Sequence, residues 1–310
     1  MPMPDFFIIG AQKCGTSALY DALRQHSDIY MGPIKEPFFF IMDGELPGYR
    51  LPSRGYTNRL IYDWERYLQL FAGATGQKAI GEASAIYLSS YFPERTAARI
   101  RQRIPNARLI AVVRQPADRA YSAFNYYHTR DLEPISDFAQ ALAAEPARIQ
   151  ANEFPDIRHR LNGYYYANLK PYFEIFPREQ IRVYLYEDWN INPTAMLQDI
   201  FSFLGVDETT TIEVKRLNVT HRCRSRRLRR FMLSGVGRWL QKRLPGSRSI
   251  FDRLQVWNQL KPQPLSPEIR CALTRSYRKD ILGLQTLIGR DLSHWLLDDA
   301  QGYKNNEIQS

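Results

Sequence analysis

The chain has 310 residues, 44% of them hydrophobic, and carries a formal net charge of +10. This composition supplies a sizeable core, and the basic excess favours anionic partners: acidic small molecules, an anionic membrane surface or nucleic acid. Three widely spaced cysteines, Cys14, Cys223 and Cys271, exclude a disulfide framework and a zinc site.

The first predicted elements are a strand and a helix joined by a glycine-bounded loop. Residues 6–9 are all apolar, which is typical of a buried parallel strand, and the apolar spacing of 17–23 predicts a helix. The loop between them has the sequence GAQKCGTS (10–17). Its backbone N–H groups and the positive end of the helix dipole predict an anion-binding site.

This loop nearly fits the nucleotide P-loop pattern G-x-x-x-x-G-K-[ST]. Gly10, Gly15 and Ser17 stand where the pattern has them, whereas Thr16 replaces the lysine and Lys13 lies earlier. We therefore expect the loop to cradle a phosphate-like group, with its cation approaching from another side. A tight strand-to-helix turn with an incidental lysine is the structural alternative.

The loop resembles the 5′-phosphosulfate loop of sulfotransferases that use 3′-phosphoadenosine 5′-phosphosulfate (PAPS). The resemblance implies an α/β, three-layer P-loop-NTPase-like fold, with a central parallel sheet flanked by helices. It also implies PAPS as sulfuryl donor, 3′-phosphoadenosine 5′-phosphate (PAP) as product, and Lys13 as a catalytic residue. The donor contacts that it implies in this loop are Gln12, Lys13, Cys14, Gly15, Thr16 and Ser17.

A short strand predicted at 29–31 leads to a second loop. Pro33 and Pro37 forbid a helix through Lys35 and Glu36, so this charged pair lies in a rigid loop. In the heparan-sulfate-type branch of the family, the matching stretch is Lys-Glu followed by aromatic residues. The resemblance implies that Glu36 is the base and Lys35 a substrate contact; a solvated surface ion pair is the alternative.

We interpret residues 41–78 as an insertion that shapes substrate access, and we predict a helix over 62–71. A strand predicted at 78–82 follows, and Glu82, Ser84 and Tyr87 match a further family pattern. The resemblance implies that Glu82 contacts the acceptor, and it is the second candidate for the base. A structural, hydrogen-bonded carboxylate is the alternative.

A helix predicted at 93–103 and a buried strand at 108–113 lead to the second specific motif. Arg114 ends the strand, where doubly wound sheets place their ligands, and Ser122 lies eight residues further on, in a helix that Pro116 begins. This pair resembles the 3′-phosphate clamp of PAPS sulfotransferases. The resemblance implies that Arg114 and Ser122 bind the 3′-phosphate; ordinary surface charge at a helix start is the alternative.

Beyond this motif, we expect a helical stretch over 132–161 broken by prolines, a strand over 181–186 and a helix over 193–204 closed by Gly205. Tyr164, in a Gly-Tyr-Tyr-Tyr run, is a candidate acceptor contact, with a core position as the alternative. A closing helical region is predicted over 265–297.

Residues 214–251 contain twelve Lys or Arg and no acidic residue. The start of this run resembles a family loop that closes over the nucleotide, which implies that Arg224 and Arg226 contact phosphate. For the other basic residues of this run, the structural interpretation is a solvated surface. An acidic substrate or a peripheral contact with an anionic membrane is the functional one, since Trp239 and other apolar residues interleave with the charge.

Together these features predict one domain over 1–310, with a core of about 5–205 and a basic helical portion over about 214–300. We expect sulfuryl transfer to a hydroxyl, in preference to an amine, of a saccharide, lipid or glycolipid-like acceptor. No metal site is expected, because no Walker-B-type carboxylate lies beside the loop. There are two alternative functions. One is a nucleotide kinase with a degenerate P-loop. The other is a basic protein that binds a membrane or nucleic acid and has an inactive nucleotide-binding fold.

The sequence contains no apolar run that approaches the roughly 20 residues of a membrane span. Because the first predicted strand lies close to Met1, we expect no signal peptide before it. We therefore expect a cytoplasmic protein, with peripheral membrane contact through the basic portion. The sequence leaves the oligomeric state open.

Overall fold

A five-stranded parallel sheet lies at the centre of the computed structural model, which describes residues 1–42, 60–89, 92–214, 222–243 and 247–297. The strand order is β2-β3-β1-β4-β5, and every neighbouring pair is parallel. This confirms the predicted central sheet. The strands are β1 Phe6–Gly10, β2 Ile29–Met31, β3 Ala79–Ala83, β4 Arg108–Val113 and β5 Ile181–Leu185.

Helices flank the sheet, and four of them begin or end at a residue that the sequence predicts. Proline occupies the first turn of several of them, where its missing N–H has no cost, and Gly205 ends one in the left-handed region at φ 69°. The helices before the basic portion are α1 Thr16–Leu23, α2 Phe39–Met42, α3 Trp64–Gln69, α4 Pro93–Arg103, α5 Pro116–Thr129, α6 Phe138–Ala143, α7 Glu145–Gln150, α8 Tyr165–Ile175, α9 Tyr186–Ile191 and α10 Pro193–Leu204.

The described residues of the basic portion are mostly helical and add a short antiparallel pair of strands. Its helices are α11 Arg226–Leu233, α12 Gly235–Arg243, α13 Ser247–Asn258 and α14 Pro267–Ile288, and the strands are β6 Arg222–Cys223 and β7 Gln259–Leu260. No helix in the described ranges is both long enough and apolar enough to cross a bilayer.

Two predicted stretches differ in detail from the structure. The helix expected over 62–71 is shorter, because the Asp63 side chain accepts a hydrogen bond from Arg66 N and fixes the start of α3. The helical stretch over 132–161 divides into α6 and α7, since Pro146 restarts the helix after Ala144. Residues 43–59 of the expected insertion lie outside the described residues.

The sheet is buried on both faces, and its carboxyl edge gathers the loops of interest. Every residue of β1 is buried, as parallel strands covered by helices require. The closing helix α14 packs against α8 and α5, with Tyr277 and Ile281 in the same apolar cluster as the sheet. Because the strands are parallel, the loops after β1, β3, β4 and β5 meet at one edge of the sheet, where α/β proteins bind ligands.

Candidate active site

A cavity of about 1430 Å³ opens at the carboxyl edge of the sheet. It is lined by parts of the loops that follow β1, β2, β3 and β4, and by residues of α5 and α11. The two motifs that lie far apart in the sequence thus share one cavity. The predicted site residues that line it are Gln12, Lys13, Gly15, Thr16, Ser17, Lys35, Glu36, Arg114 and Ser122.

The loop after β1 turns into α1 through a left-handed glycine. Gly15 has φ 88° and caps the N-terminus of α1. A Cβ at this position would stand 3.1 Å from the ring of Tyr186, so both the backbone angle and the close neighbour require glycine. The first turn of α1 holds no acidic side chain, which leaves the positive end of the helix dipole uncompensated at the cavity.

Lys13 lies in the middle of a cationic group of side chains. Its Nζ is 4.0 Å from the centroid of the Tyr126 ring. Burial of its ammonium group, followed by repulsion from Arg130 and Arg114, lowers the pKa of Lys13 to about 7. An anion placed here would favour the charged form of Lys13, so the loop is electrostatically suited to a phosphate-like group.

Gln12 and Cys14 flank Lys13, and the side chains of both anchor the loop. Gln12 Nε2 donates to Tyr127 OH at 2.6 Å and to Asp156 Oδ1 at 2.7 Å. Cys14 is fully buried with its Sγ 3.6 Å from Tyr165 OH, and burial raises the pKa of its thiol to about 11. The Cys14 side chain is outside the cavity lining and its N–H donates to Ala11 O at 3.2 Å, so its expected donor contact stays a prediction.

Glu36 is held in an uncommon backbone conformation at the cavity wall. Its φ is 63°, and its N–H donates to Ala83 O at 2.9 Å. Its Oε1 lies 2.6 Å from Lys35 Nζ, and its Oε2 accepts from Ala85 N at 2.9 Å. Both charged side chains are only 22% exposed, so this is a fixed carboxylate and not a freely solvated surface pair.

Arg114 and Ser122 line the same cavity from the end of β4 and from α5. The Arg114 guanidinium lies 4.9 Å from the centroid of the Tyr186 ring. Asp118, between them in sequence, forms an ion pair with Arg270 of α14, which brings a further cation to the wall. Arg119, by contrast, is fully buried and donates to His159 O, so it is a core residue.

Two predicted acceptor contacts lie outside the cavity lining. Glu82 is 1% exposed, and its Oε2 accepts from Tyr67 OH at 2.8 Å and Tyr87 OH at 2.9 Å. Burial raises the pKa of Glu82 to about 7. Tyr164 packs edge-to-face on Tyr277, with centroids 5.0 Å apart. Glu82 is buried, as its structural alternative requires, and Tyr164 is partly buried. Neither side chain lines the cavity, and their acceptor contacts stay predictions.

The basic portion reaches the cavity through two arginines outside the predicted pair. Arg229 and Arg230 line the cavity. Of the predicted pair, Arg224 is exposed and lies over the Trp257 ring at 4.6 Å, away from the lining, and the side chain of Arg226 lies outside the described part of the chain.

These unexpected arginines are tied to the end of α5. Arg229 donates to Thr129 O at 2.6 Å, and Arg230 pairs with Asp131 at 3.0 Å. Arg130, also unexpected, lies 3.5 Å from the centroid of the Tyr126 ring and lines the cavity. Arg229 and Arg230 are neighbours on α11, but nothing in the sequence says which face of this helix turns to the cavity.

The cavity lining is basic on balance, and its carboxylates are engaged. Each acidic side chain of the lining has a partner: Glu36 with Lys35, Asp118 with Arg270, Asp131 with Arg230, and Asp156 with Gln12. The lining therefore favours an anion with several charges. Across the described ranges, no group of three or more His, Cys, Asp or Glu is arranged to hold a metal ion. The basic side chains of the lining are Lys13, Lys35, Arg114, Arg130, Arg229, Arg230 and Arg270.

Comparison with known proteins gives consistent matches. A family model described as "Sulfotransferase family" matches residues 4–210. The crystal structure of a sulfotransferase from Alicyclobacillus acidocaldarius superposes with a TM-score of 0.76 and 31% identity, covering 95% of this chain and 99% of that one.

Two human proteins are more distant relatives. Bifunctional heparan sulfate N-deacetylase/N-sulfotransferase 2 is 28% identical over 66% of this chain, and carbohydrate sulfotransferase 15 is 27% identical over 66%. The chain spans only 22% and 44% of the length of these two curated relatives.

Proposed function

The chain belongs to the sulfotransferase family, and on that premise we propose that it transfers a sulfuryl group from PAPS to a hydroxyl of a carbohydrate or glycolipid-like acceptor, with Glu36 as the base. One observation carries the proposal. Lys13, partly neutralised among other cations, and Glu36, fixed by two hydrogen-bond donors, line the same cavity. An anion site and a positioned carboxylate are the two parts that this transfer needs.

The residues of the cavity fit the donor. The uncompensated N-terminus of α1, the Lys13 ammonium and the hydroxyls of Thr16 and Ser17 suit the 5′-phosphosulfate. Arg114 suits the 3′-phosphate, because a planar guanidinium can donate two parallel hydrogen bonds to it, and Ser122 adds a hydroxyl. PAPS supplies the sulfuryl group, and PAP leaves.

The transfer itself is an in-line displacement that resembles phosphoryl transfer, so positioning and electrostatics supply most of the acceleration. The bond from sulfur to the bridging phosphate oxygen breaks as the bond from the acceptor oxygen to sulfur forms. Lys13 stabilises the charge that develops on the leaving phosphate. The acceptor proton passes to the Glu36 carboxylate.

The assignment of the base to Glu36 is supported by what else surrounds the cavity. Glu82, the second candidate, is buried against two tyrosine hydroxyls and does not line it. No histidine of the described ranges lines it either, although histidine is the base in the cytosolic branch that the sequence resembles less. Lys35 contacts one oxygen of the Glu36 carboxylate, and the Ala85 N–H donates to the other. The two contacts together fix the orientation of the carboxylate.

The names of the two human relatives support a saccharide acceptor, and one of them specifies an N-sulfotransferase. We assign a hydroxyl acceptor here, since the Lys35-Glu36 loop resembles the carbohydrate branch. Transfer to an amine in preference to a hydroxyl would correct the acceptor while leaving the donor and base assignments intact.

Thermal unfolding with added nucleotide tests the donor assignment. A ligand that binds only the folded state raises the midpoint, and the stabilisation is about 2.7 kcal/mol at a concentration 100 times Kd. We expect PAP to raise the midpoint far more than adenosine 5′-phosphate or ATP does. Stabilisation by ATP with no response to PAP would replace the proposal with the kinase alternative.

A further inference from the structure

The positive charge of the chain is concentrated in one segment. Residues 222–261, here called the basic segment, contain twelve Lys or Arg and a single acidic residue, Asp252. The other 270 residues contain 30 Lys or Arg and 31 Asp or Glu, so their net charge is −1 against +11 for the segment. The net charge of +10 is therefore a property of the basic segment and not of the sulfotransferase core.

The same segment also carries most of the large apolar side chains that the described residues leave exposed. Eight of the fifteen lie within it, including two tryptophans, Trp239 at 57% and Trp257 at 51% exposure. The others are Phe231, Leu233, Val236, Ile250, Val256 and Leu260. Exposed apolar surface at this density marks an interaction site.

Charge and apolar surface are interleaved on one small helical unit. Helices α11, α12 and α13 contact one another, and the β6–β7 pair closes the unit at its base. Arg224 lies over the exposed ring of Trp257, 4.6 Å from its centroid. Basic side chains beside exposed tryptophans are the pattern of helices that lie in a membrane interface.

The unit also forms one side of the candidate active site. Arg229, Arg230 and Leu233 of α11 line the cavity, as do residues 262–265, which directly follow the basic segment. Leu233 is thus at once an exposed apolar residue and a cavity residue. A surface that lies against the basic segment would also lie beside the cavity opening.

We propose that the basic segment docks the protein on an anionic lipid bilayer, with the exposed tryptophans at headgroup depth and the cavity opening facing the headgroups. Charge complementarity selects this occupant. A second copy of the chain would oppose two segments of +11, and a free anionic saccharide would leave the apolar side chains in water. A single-stranded nucleic acid could stack its bases on the two tryptophans but would leave the exposed aliphatic side chains uncovered. The inference does not depend on which donor the cavity takes.

Vesicle co-sedimentation tests the docking. The protein is mixed with phosphatidylcholine vesicles, with or without phosphatidylglycerol, at low salt and at about 1 M salt, where the Debye length is about 3 Å. We expect binding only to the anionic vesicles, and loss of most of it at high salt. Each basic residue near an anionic surface is worth about fivefold in affinity, so Arg227→Glu combined with Arg253→Glu should weaken binding more than about 25-fold.

Matched controls separate this surface from charge and apolarity elsewhere. The combination Arg66→Glu with Lys279→Glu changes the net charge equally at exposed sites outside the segment and should bind nearly as the unmodified protein does. Trp239→Ser with Trp257→Ser should abolish the binding that survives high salt, whereas Ile191→Ser with Leu282→Ser, also exposed, should not. PAP stabilisation should be unchanged in all four variants, because none of these residues lines the cavity.

Three results would overturn the docking. One is no binding to anionic vesicles by a protein that PAP still stabilises. Another is equal loss in the test and control combinations, which would reduce the effect to net charge. The last is a concentration-dependent dimer, or tighter binding of single-stranded RNA, that the tryptophan substitutions abolish in the absence of vesicles.

Discussion

Binding of PAP should take up a proton, and Lys13 should be the group that receives it. In the free protein, burial and the neighbouring arginines lower the pKa of Lys13 to about 7. An anion in the loop reverses that balance, because an opposite charge within a few ångströms favours the charged amine. The bound pKa should therefore return to its ordinary value of 10.5 or above.

The size of the effect follows from that difference. At pH 8, one unit above the free pKa, about a tenth of Lys13 is charged before binding, so binding should take up about 0.9 proton. Above pH 7 the affinity for PAP should fall by about tenfold per pH unit, which is about 1.4 kcal/mol. The phosphates of PAP do not interfere at pH 8, since their second pKa is about 6. The Cys14 thiol, with its pKa at about 11, does not either.

Isothermal titration calorimetry in two buffers of different ionisation enthalpy measures this uptake. Lys13→Met removes the ammonium but keeps an unbranched chain, so its binding should be weaker and accompanied by no uptake at pH 8. Lys78→Met is the control, because Lys78 is exposed and Asp28 raises its pKa. Zero uptake by the unmodified protein at pH 8, or the same uptake in Lys13→Met, would refute the reasoning.

Further outcomes follow for the 3′-phosphate clamp, for a buried carboxyl and for the loop glycine. Arg114→Ala should weaken PAP binding by about 1.5–3 kcal/mol and remove the preference over adenosine 5′-phosphate; calorimetry that shows an unchanged preference would move the clamp elsewhere. Folding raises the pKa of Glu82 from 4.5 to about 7, so between these pH values the folded state binds a proton that the unfolded state has lost. The free energy of unfolding should therefore fall by about 3 kcal/mol as the pH rises across that window. Urea unfolding at pH 4 and 8 should show that Glu82→Gln abolishes this loss, and an unaltered slope would contradict it. Gly15→Ala should cost about 1–2 kcal/mol of stability and most PAP affinity, because φ is 88° and Tyr186 stands against the new methyl; Gly235→Ala, with open space around it, should cost neither, and equal effects would exclude the strain.

The sequence predicted those parts of the site that depend on local chain geometry. The strand, glycine loop and helix over 6–23 lie together in sequence, and the proline-bounded Lys35-Glu36 loop could not become helical. Arg114 follows the end of a strand and Ser122 lies in the helix that Pro116 begins, while their pairing is what the family resemblance implies. The cavity is lined by all four side chains, Lys35, Glu36, Arg114 and Ser122.

The sequence could not predict which way Glu82 points. Alternation along a strand places it on the face opposite its neighbours, but in a sheet covered on both faces this does not say which side chains it meets. In the structure Glu82 pairs in register with Phe7 of β1, and its carboxyl meets two tyrosine hydroxyls supplied by α3 and the turn after β3. Those hydroxyls come from residues 15 and 5 positions away, and only the tertiary fold brings both to one oxygen.

For a related reason, the sequence could not predict which arginines of α11 line the cavity. The face that α11 turns to the cavity depends on where the helix begins. The Ser225 side chain caps it by accepting from Leu228 N, which sets Arg229 and Arg230 toward the lining. Arg224, before the cap, instead follows β6 and lies against Trp257. Helix phase at a junction of this kind is fixed by packing and not by composition.

The central claim is that Glu36 takes the acceptor proton while the loop around Lys13 holds the donor. The most direct measurement is transfer of ³⁵S from labelled PAPS to a panel of saccharide, glycolipid, amine and phenol acceptors, run with Glu36→Gln and with Glu65→Gln, an exposed control. We expect label on a saccharide or glycolipid hydroxyl, at equal rates for the unmodified protein and Glu65→Gln. Glu36→Gln should bind PAP normally and lose transfer by about 10²–10⁴-fold, because the amide keeps the shape but cannot accept the proton. Full turnover by Glu36→Gln, or label on small phenols alone, would contradict the account.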